Sequence, residues 1–168
     1  VEELDDPSIR GKPVIVGPPP PTRLSNGRID FSRSGRGIVC TSNYTARAFG
    51  VRTAMPATQA HRLCPDGVYR SCRGERYREL SRAVFAVCED FTPRIRPVGI
   101  DECYLDFSGL ERWTRSRHTG VDPQVFVRDW PRLLAADLRD AIESRTGLTA
   151  SIGIGPNRFI PKLASDYD

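Results

Sequence analysis

The chain has 168 residues, 39% hydrophobic and 27% charged, enough for one core or for two small lobes sharing an interface. No run approaches the roughly 20 apolar residues of a membrane span, and no basic, apolar and small-residue leader opens the chain, which predicts a soluble, cytoplasmic protein of α/β type with no membrane partner. The net charge of +4 is carried almost wholly by arginine, with Lys12 and Lys162 the two lysines; it suits a phosphate-rich partner and equally reflects a composition bias, so charge alone decides nothing. Five cysteines (Cys40, Cys64, Cys72, Cys88 and Cys103), odd in number and with no Cys-x-x-Cys pair, predict buried thiols rather than disulfides or zinc. His61 and His118 stand apart, which leaves a histidine metal site or a Ser-His-Asp triad little support.

In chain order, residues 1–6 read as the tail of a helix stopped by Pro7, and Val14-Ile15-Val16 as a short strand. Residues 18–36 are rich in Pro, Gly, Ser and Arg without apolar periodicity, and predict an exposed loop. Its arginines, Arg23, Arg28, Arg33 and Arg36, suit a nucleic-acid backbone, although a solvated loop without function explains them as well. Residues 37–41 predict a buried strand, after which Ser42-Asn43 caps a helix over 44–49 that Gly50 ends. Tyr44 and Arg47 lie three apart on the first turn of that helix, where free N–H groups favour an anion, and Thr41 adds a hydroxyl just before the cap. Together these three residues outline a triphosphate cradle.

Further on, residues 56–63 predict a short helix, 68–70 a strand and 75–91 a longer helix, with Leu80, Val84, Val87 and Phe91 on its core face and Arg73, Arg76, Arg78 and Arg82 on a solvated basic one. Residues 109–120 are polar and predict no element. Asp122-Pro123 opens a helix towards Thr146, with a kink or restart at Pro131 and with Leu134, Leu138, Ala141 and Ile142 facing inward. A strand over 149–154 and a last helix containing Lys162 follow; Gly153 and Gly155 lack the third glycine of a dinucleotide-binding turn.

The most informative stretch runs from Arg94 to Ser108. Cys103, Leu105 and Phe107 alternate with Tyr104, Asp106 and Ser108, so two strands and a tight tip are expected, with Asp101 and Glu102 at the tip. Adjacent carboxylates of this kind are either turn residues in water or ligands of a hard cation such as Mg²⁺. Successive strand residues point to opposite faces, so the pair converges only if the tip is distorted, as Gly99 permits. Two carboxylates seldom suffice for two metals, so a third acidic ligand is expected from elsewhere.

The order strand, strand, helix, strand from residue 94 onward is most of a split βαβ palm without its first strand. With Thr41-Ser42-Asn43-Tyr44-Thr45-Ala46-Arg47, Ala54-Met55-Pro56, Tyr77-Arg78-Glu79-Leu80-Ser81, Ile100-Asp101-Glu102-Cys103-Tyr104-Leu105-Asp106 and the run from Thr146 through Asn157 and Lys162 to Asp166, the sequence resembles the Y-family translesion DNA polymerases, most closely the DNA polymerase IV type. The resemblance implies an α+β fold: a partial ferredoxin-like palm, residues 1–12 being a palm helix tail and 73–168 the palm proper, with a small α/β fingers lobe over 13–72. It implies a DNA-directed DNA polymerase that extends a primer on a template by two-metal phosphoryl transfer, in translesion synthesis and repair. Asp101 and Glu102 would be the catalytic and metal-binding carboxylates, served by two Mg²⁺ ions with Mn²⁺ as a substitute. Tyr44, Arg47 and Lys162, and less strongly Thr41, would hold the deoxynucleoside triphosphate, and primer-template DNA would be the partner. The family's first palm strand, its upstream Asp, its sugar-discriminating aromatic residue and its thumb have no counterpart here, so a fingers-palm fragment without activity of its own is expected, with any sliding clamp bound by regions beyond residue 168. The alternative is a catalytically inactive polymerase-like accessory protein. Gly99 stands where the family usually has Ser, and Pro161 beside Lys162 where it usually has Ala, which puts the reach of Lys162 in question.

Overall fold

A computed structural model describes residues 1–19, 22, 23, 25, 29, 30 and 37–165. Arg28, Arg33, Arg36 and Asp166 lie outside the described residues. The chain divides into two compact units, Val1–Gly74 and Glu75–Asp168.

The first unit is built on a three-stranded sheet in the order β4-β1-β5, with β1 at Val14–Val16, β4 at Thr41–Ser42 and β5 at Val68–Arg70. The central strand β1 runs antiparallel to β4 and parallel to β5. All three of its residues are buried, as a central strand covered on both faces requires. Ile15, Val39, Ala46, Val51, Ala60 and Cys64 form the core, flanked by Met55 and Tyr69. Burial pushes the Tyr69 phenol up to about 12. The helices are α1 (Glu2–Asp5), α2 (Tyr44–Ala48) and α3 (Ala57–Leu63). Residues 1–12, which the resemblance assigns to the palm, share this unit with the segment it assigns to the fingers. They are tied there by ion pairs from Arg70 to Asp6 (2.6 Å) and from Arg73 to Glu2 and Asp5 (2.9 Å each).

Two expectations change in this unit. The strand expected over 37–41 is reduced to a bridge between Ile38 and Pro56 and the two residues of β4. Val39 alone of that stretch is buried, because its backbone bonds to Met55 and Ala54 while the next N–H, of Cys40, turns to Val16. Residues 18–36, read as a loop, contain a two-stranded ribbon of β2 (Thr22–Arg23) and β3 (Ile29–Asp30). Cys64 and Cys88 are buried as expected, whereas Cys40 and Cys72 are exposed.

Asn43 shows how locally this unit is held. Its side-chain oxygen accepts from Ala46 N–H, capping α2, and from Val14 N–H, both at 2.9 Å; its amide donates to Glu3 (2.6 Å) and to the Lys12 carbonyl (2.8 Å). Asn43→Ala removes all four bonds and strands a donor of β1. A loss of about 2 kcal/mol is expected, the sum of a cap and an unsatisfied amide. Both tryptophans, Trp113 and Trp130, lie in the other unit, so amide hydrogen exchange at Val14 and Ala46 is the measurement; unchanged protection would refute this assignment.

In the second unit, α4 (Gly74–Phe91) and α6 (Pro123–Thr146) carry the core. Val87, Cys88, Leu138 and Ile142 are buried together, with Val84, Phe91 and Ala141 against them, as the helical periodicity predicted. The hairpin β6 (Ile95–Pro97) and β7 (Cys103–Leu105) adds Ile95, Cys103, Leu105 and Phe107. Asp122 caps α6 by accepting from Gln124 and Val125, Gly147 ends it in the left-handed conformation, and the helix runs through Pro131 without a restart. A further helix, α5 (Glu111–Arg117), occupies the polar stretch where none was expected. Its charged pattern hid it. The residues that anchor it are Thr114, which is fully buried, and the partly exposed Trp113, which meets Phe91 edge-on at 5.6 Å, while Arg117 stacks on Trp113.

The strand expected over 149–154 is absent as a hydrogen-bonded ladder. Ala150 and Ile152 do pack alternately on the core, as a period of two demands. A ladder needs a neighbouring strand, and here the segment backs onto the last helix, α7 (Phe159–Ser165), instead. The basic face of α4 is partly neutralised within its own helix, Arg76 pairing with Glu79 and Arg78 with Glu75.

Candidate functional site

The hairpin is in register Ile95↔Leu105, Arg96↔Tyr104 and Pro97↔Cys103. Beyond the last pair the carbonyl of Glu102 accepts from both Val98 N–H (2.9 Å) and Gly99 N–H (3.4 Å), two residues facing one as in a bulge. The tip is therefore distorted on its β6 side, at Val98 and Gly99. Asp101 and Glu102 are both exposed, and so are Val98 and Ile100, so the carboxylates reach water despite the apolar strands behind them. The Asp101 carboxylate folds back towards Gly99, one oxygen 3.4 Å from where a side chain on that glycine would begin.

Glu102 is engaged: Lys162 Nζ donates to its Oε1 at 2.6 Å, across 60 residues of sequence. Pro161 does not keep the lysine away. It is the third residue of α7, inside the first turn, whose N–H groups have no partner within the helix, so its missing donor removes no helical bond. Asn157 caps that turn by accepting from Phe159 (3.0 Å) and Ile160 (3.2 Å). What sets the height of α7 is Gly153. A methyl group there would stand 1.9 Å from the Pro161 carbonyl oxygen and 2.7 Å from the Ser165 nitrogen, both backbone atoms. Gly153→Ala must push α7 outward, so the Lys162–Glu102 bond is expected to open with a stability loss of about 1–3 kcal/mol. Trp fluorescence in urea reads the loss; a substitution that leaves the midpoint unchanged would show that the helix is free to float.

The face of the hairpin opposite the core carries Arg96 and Tyr104, and the guanidinium of Arg158 lies 5.8 Å from the Tyr104 ring centre. Tyr104 entered the sequence reading as an alternating strand position, but Arg158 was not singled out; the signal available was its standing four residues before Lys162. Asp106 has a structural task, accepting from Ser108 N–H (2.8 Å) and pairing with Arg94; the Ser108 hydroxyl first, then that N–H and Arg94, hold its carboxyl below the usual carboxylate range.

In the first unit Tyr44 is 76% exposed and Arg47 stacks on it, the guanidinium 5.2 Å from the ring centre. Arg47 Nε also donates to the Ser42 carbonyl at 3.1 Å. Thr41 is exposed on β4 opposite Val16. Tyr44 and Arg47 are thus a preorganised pair facing solvent, while the Ala46 N–H of the same turn is already spent on Asn43.

No group of three or more His, Cys, Asp or Glu side chains able to hold a metal occurs among the described residues. The donors present are two adjacent, hydrated carboxylates. This suits Mg²⁺, which is commonly held by one or two carboxylates and completes its shell with phosphate oxygens and water. No described helix is long and apolar enough to cross a membrane.

Among known proteins, the chain is 39% identical to a DNA polymerase IV of Halorhodospira halophila over 166 residues, 99% of this chain and 39% of that protein. It is 40% identical to one from Desulfatibacillum aliphaticivorans, covering 99% of this chain and 35% of the relative. The chain therefore spans somewhat more than a third of the length of these relatives. Among solved structures, DinB from Sulfolobus solfataricus superposes with a TM-score of 0.73 at 25% identity, over 98% of this chain and 41% of that one. An insertion ternary complex of Dbh DNA polymerase gives 0.71 at 25% identity with the same coverage. The mixed α+β fold thus matches the fingers and palm region of Y-family polymerases. With the impB/mucB/samB family profile matching residues 1–166, the chain belongs to that family, the Y-family polymerase domain of the DNA polymerase IV type.

Proposed function

We propose that the protein to which this chain belongs is a template-dependent DNA polymerase that adds deoxynucleotides to a primer 3′-end in translesion synthesis and DNA repair. The observation that carries this reading is the family match across residues 1–166 together with the retained carboxylate pair at the distorted tip of the β6–β7 hairpin. Residues 13–72 serve as fingers, and residues 1–12 and 73–168 as palm, of the ferredoxin-like split βαβ kind. In this reading the chain covers only the fingers and part of the palm, and does not extend primers by itself.

Asp101 and Glu102 hold divalent metal, Mg²⁺ in the first place. Two such ions, when bound, neutralise phosphate charge and ease loss of the proton from the primer 3′-hydroxyl. A third acidic ligand is required for both ions, since the tip supplies only two carboxylates. Tyr44 and Arg47 contribute a phenol and a guanidinium held together by stacking, which suits bidentate contact with phosphate oxygens. Lys162, in the second unit, contributes a point charge for a nucleotide phosphate, and Thr41 is a lesser nucleotide contact beside Tyr44 and Arg47.

The test is primer extension on a primed template with all four deoxynucleoside triphosphates and Mg²⁺, by the protein containing this chain. Extension that follows the template establishes the reading. A folded protein that binds primed DNA without extending it is instead the inactive accessory, which retention of both carboxylates disfavours.

A further inference from the structure

The Lys162–Glu102 contact joins two groups to which the polymerase reading gives different partners, and the inference rests on that reading. In that reading Glu102 is a metal ligand and Lys162 a triphosphate ligand, and the two side chains lie in direct contact, the ammonium 2.6 Å from the carboxylate oxygen. The pair is half in water, its side chains 42% and 49% exposed. Ion pairs of this kind are weak because solvent screens them and two long side chains must be held still. A buried pair would lock the site; an exposed one yields to a divalent cation, which carries twice the charge of the ammonium and binds carboxylate oxygens directly.

We propose that Lys162 serves two acceptors in turn, neutralising Glu102 until a divalent cation replaces it and then passing to a phosphate of the nucleotide. Each exchange keeps every charge matched: the carboxylate trades an ammonium for a metal ion, and the ammonium trades a carboxylate for a phosphate. The consequence is coupling. Metal alone must displace the lysine, and triphosphate alone must draw the lysine from its carboxylate, so either ligand relieves the other of that competition. Linkage makes the effect reciprocal. The geometry also explains why the lysine stands on α7 at a height set by Gly153, close enough to bridge to the tip without being buried against it.

The experiment measures Mn²⁺ binding by the electron paramagnetic resonance of the free ion, and dATP binding by calorimetry with and without Mn²⁺. It compares the parent protein containing this chain with its Lys162→Met, Glu102→Gln and doubly substituted variants at low ionic strength. Lys162→Met is expected to tighten Mn²⁺ alone about two- to five-fold, the range an exposed ion pair spans, and to weaken dATP. In the Glu102→Gln background the same change is expected to leave Mn²⁺ binding unaltered. A tightening of equal size in both backgrounds would mean a general charge effect and would overturn the exchange. So would Mn²⁺ and dATP binding independently in the wild type. Failure of the wild type to bind either ligand would overturn the polymerase site itself along with the exchange.

Discussion

Replacing Asp101 and Glu102 together by alanine is expected to lower Mg²⁺-dependent primer extension by the parent protein at least about a thousandfold, since preorganised charge at the reacting phosphate is usually the largest catalytic contribution. The same change should leave the fold almost untouched. Both side chains are exposed, and among the described residues their side-chain polar contact with the rest of the chain is the half-solvated pair of Glu102 with Lys162. Losing such a pair costs at most about 1 kcal/mol. The hairpin itself is held by backbone bonds from Val98 and Gly99 to the Glu102 carbonyl, which alanine keeps. Extension at wild-type rate by the double variant would place the metals elsewhere and sink the assignment. A collapse of the thermal transition would show that the tip is structural.

The second large effect is on stability. Leu138 is 1% exposed in the middle of α6, packed with Val87, Cys88 and Ile142, with the hairpin residues Cys103 and Leu105 against the same cluster. Leu138→Ala leaves a cavity that rigid neighbours on two helices and a hairpin cannot fill, so a loss of about 2–5 kcal/mol is expected. Val127, on the same helix but 68% exposed, supplies the control, and Val127→Ala should stay within about 0.5 kcal/mol. Urea unfolding followed by tryptophan fluorescence reads this unit directly, since both tryptophans belong to it. A change below about 1 kcal/mol for Leu138 would mean that the cluster is not the core. The hairpin that carries Asp101 and Glu102 rests on this cluster, so its protection against hydrogen exchange should fall together with the midpoint.

Much of this was written in local pattern. The periodicity of α4 and α6 placed Leu80, Val87, Leu138 and Ile142 inside, and Asp122-Pro123 and Gly147 marked where α6 begins and ends, because helix periodicity and capping depend on neighbours within one or two turns. The alternation of Cys103 and Leu105 with Tyr104 gave the hairpin and its tip for the same reason. Chemistry confined to a few consecutive residues, such as the carboxylate pair and the Tyr44–Arg47 spacing, was legible too.

Tertiary structure decided what depends on partners far along the chain. Residues 149–154 alternate like a strand and pack like one, but whether they join a ladder rests on what lies beside them, and α7 does. Residues 37–41 are apolar enough for a buried strand, but the carbonyls and amides that reach Val39 and Cys40 come from different neighbours and break the ladder in two. Helix α5 is polar by composition and is anchored by Trp113 and Thr114, contacts no periodicity announces. The reach of Lys162 past Pro161 is of the same kind. Sequence spacing set the proline beside the lysine, and only the position of α7, held down where Gly153 has no side chain, brings the ammonium to Glu102.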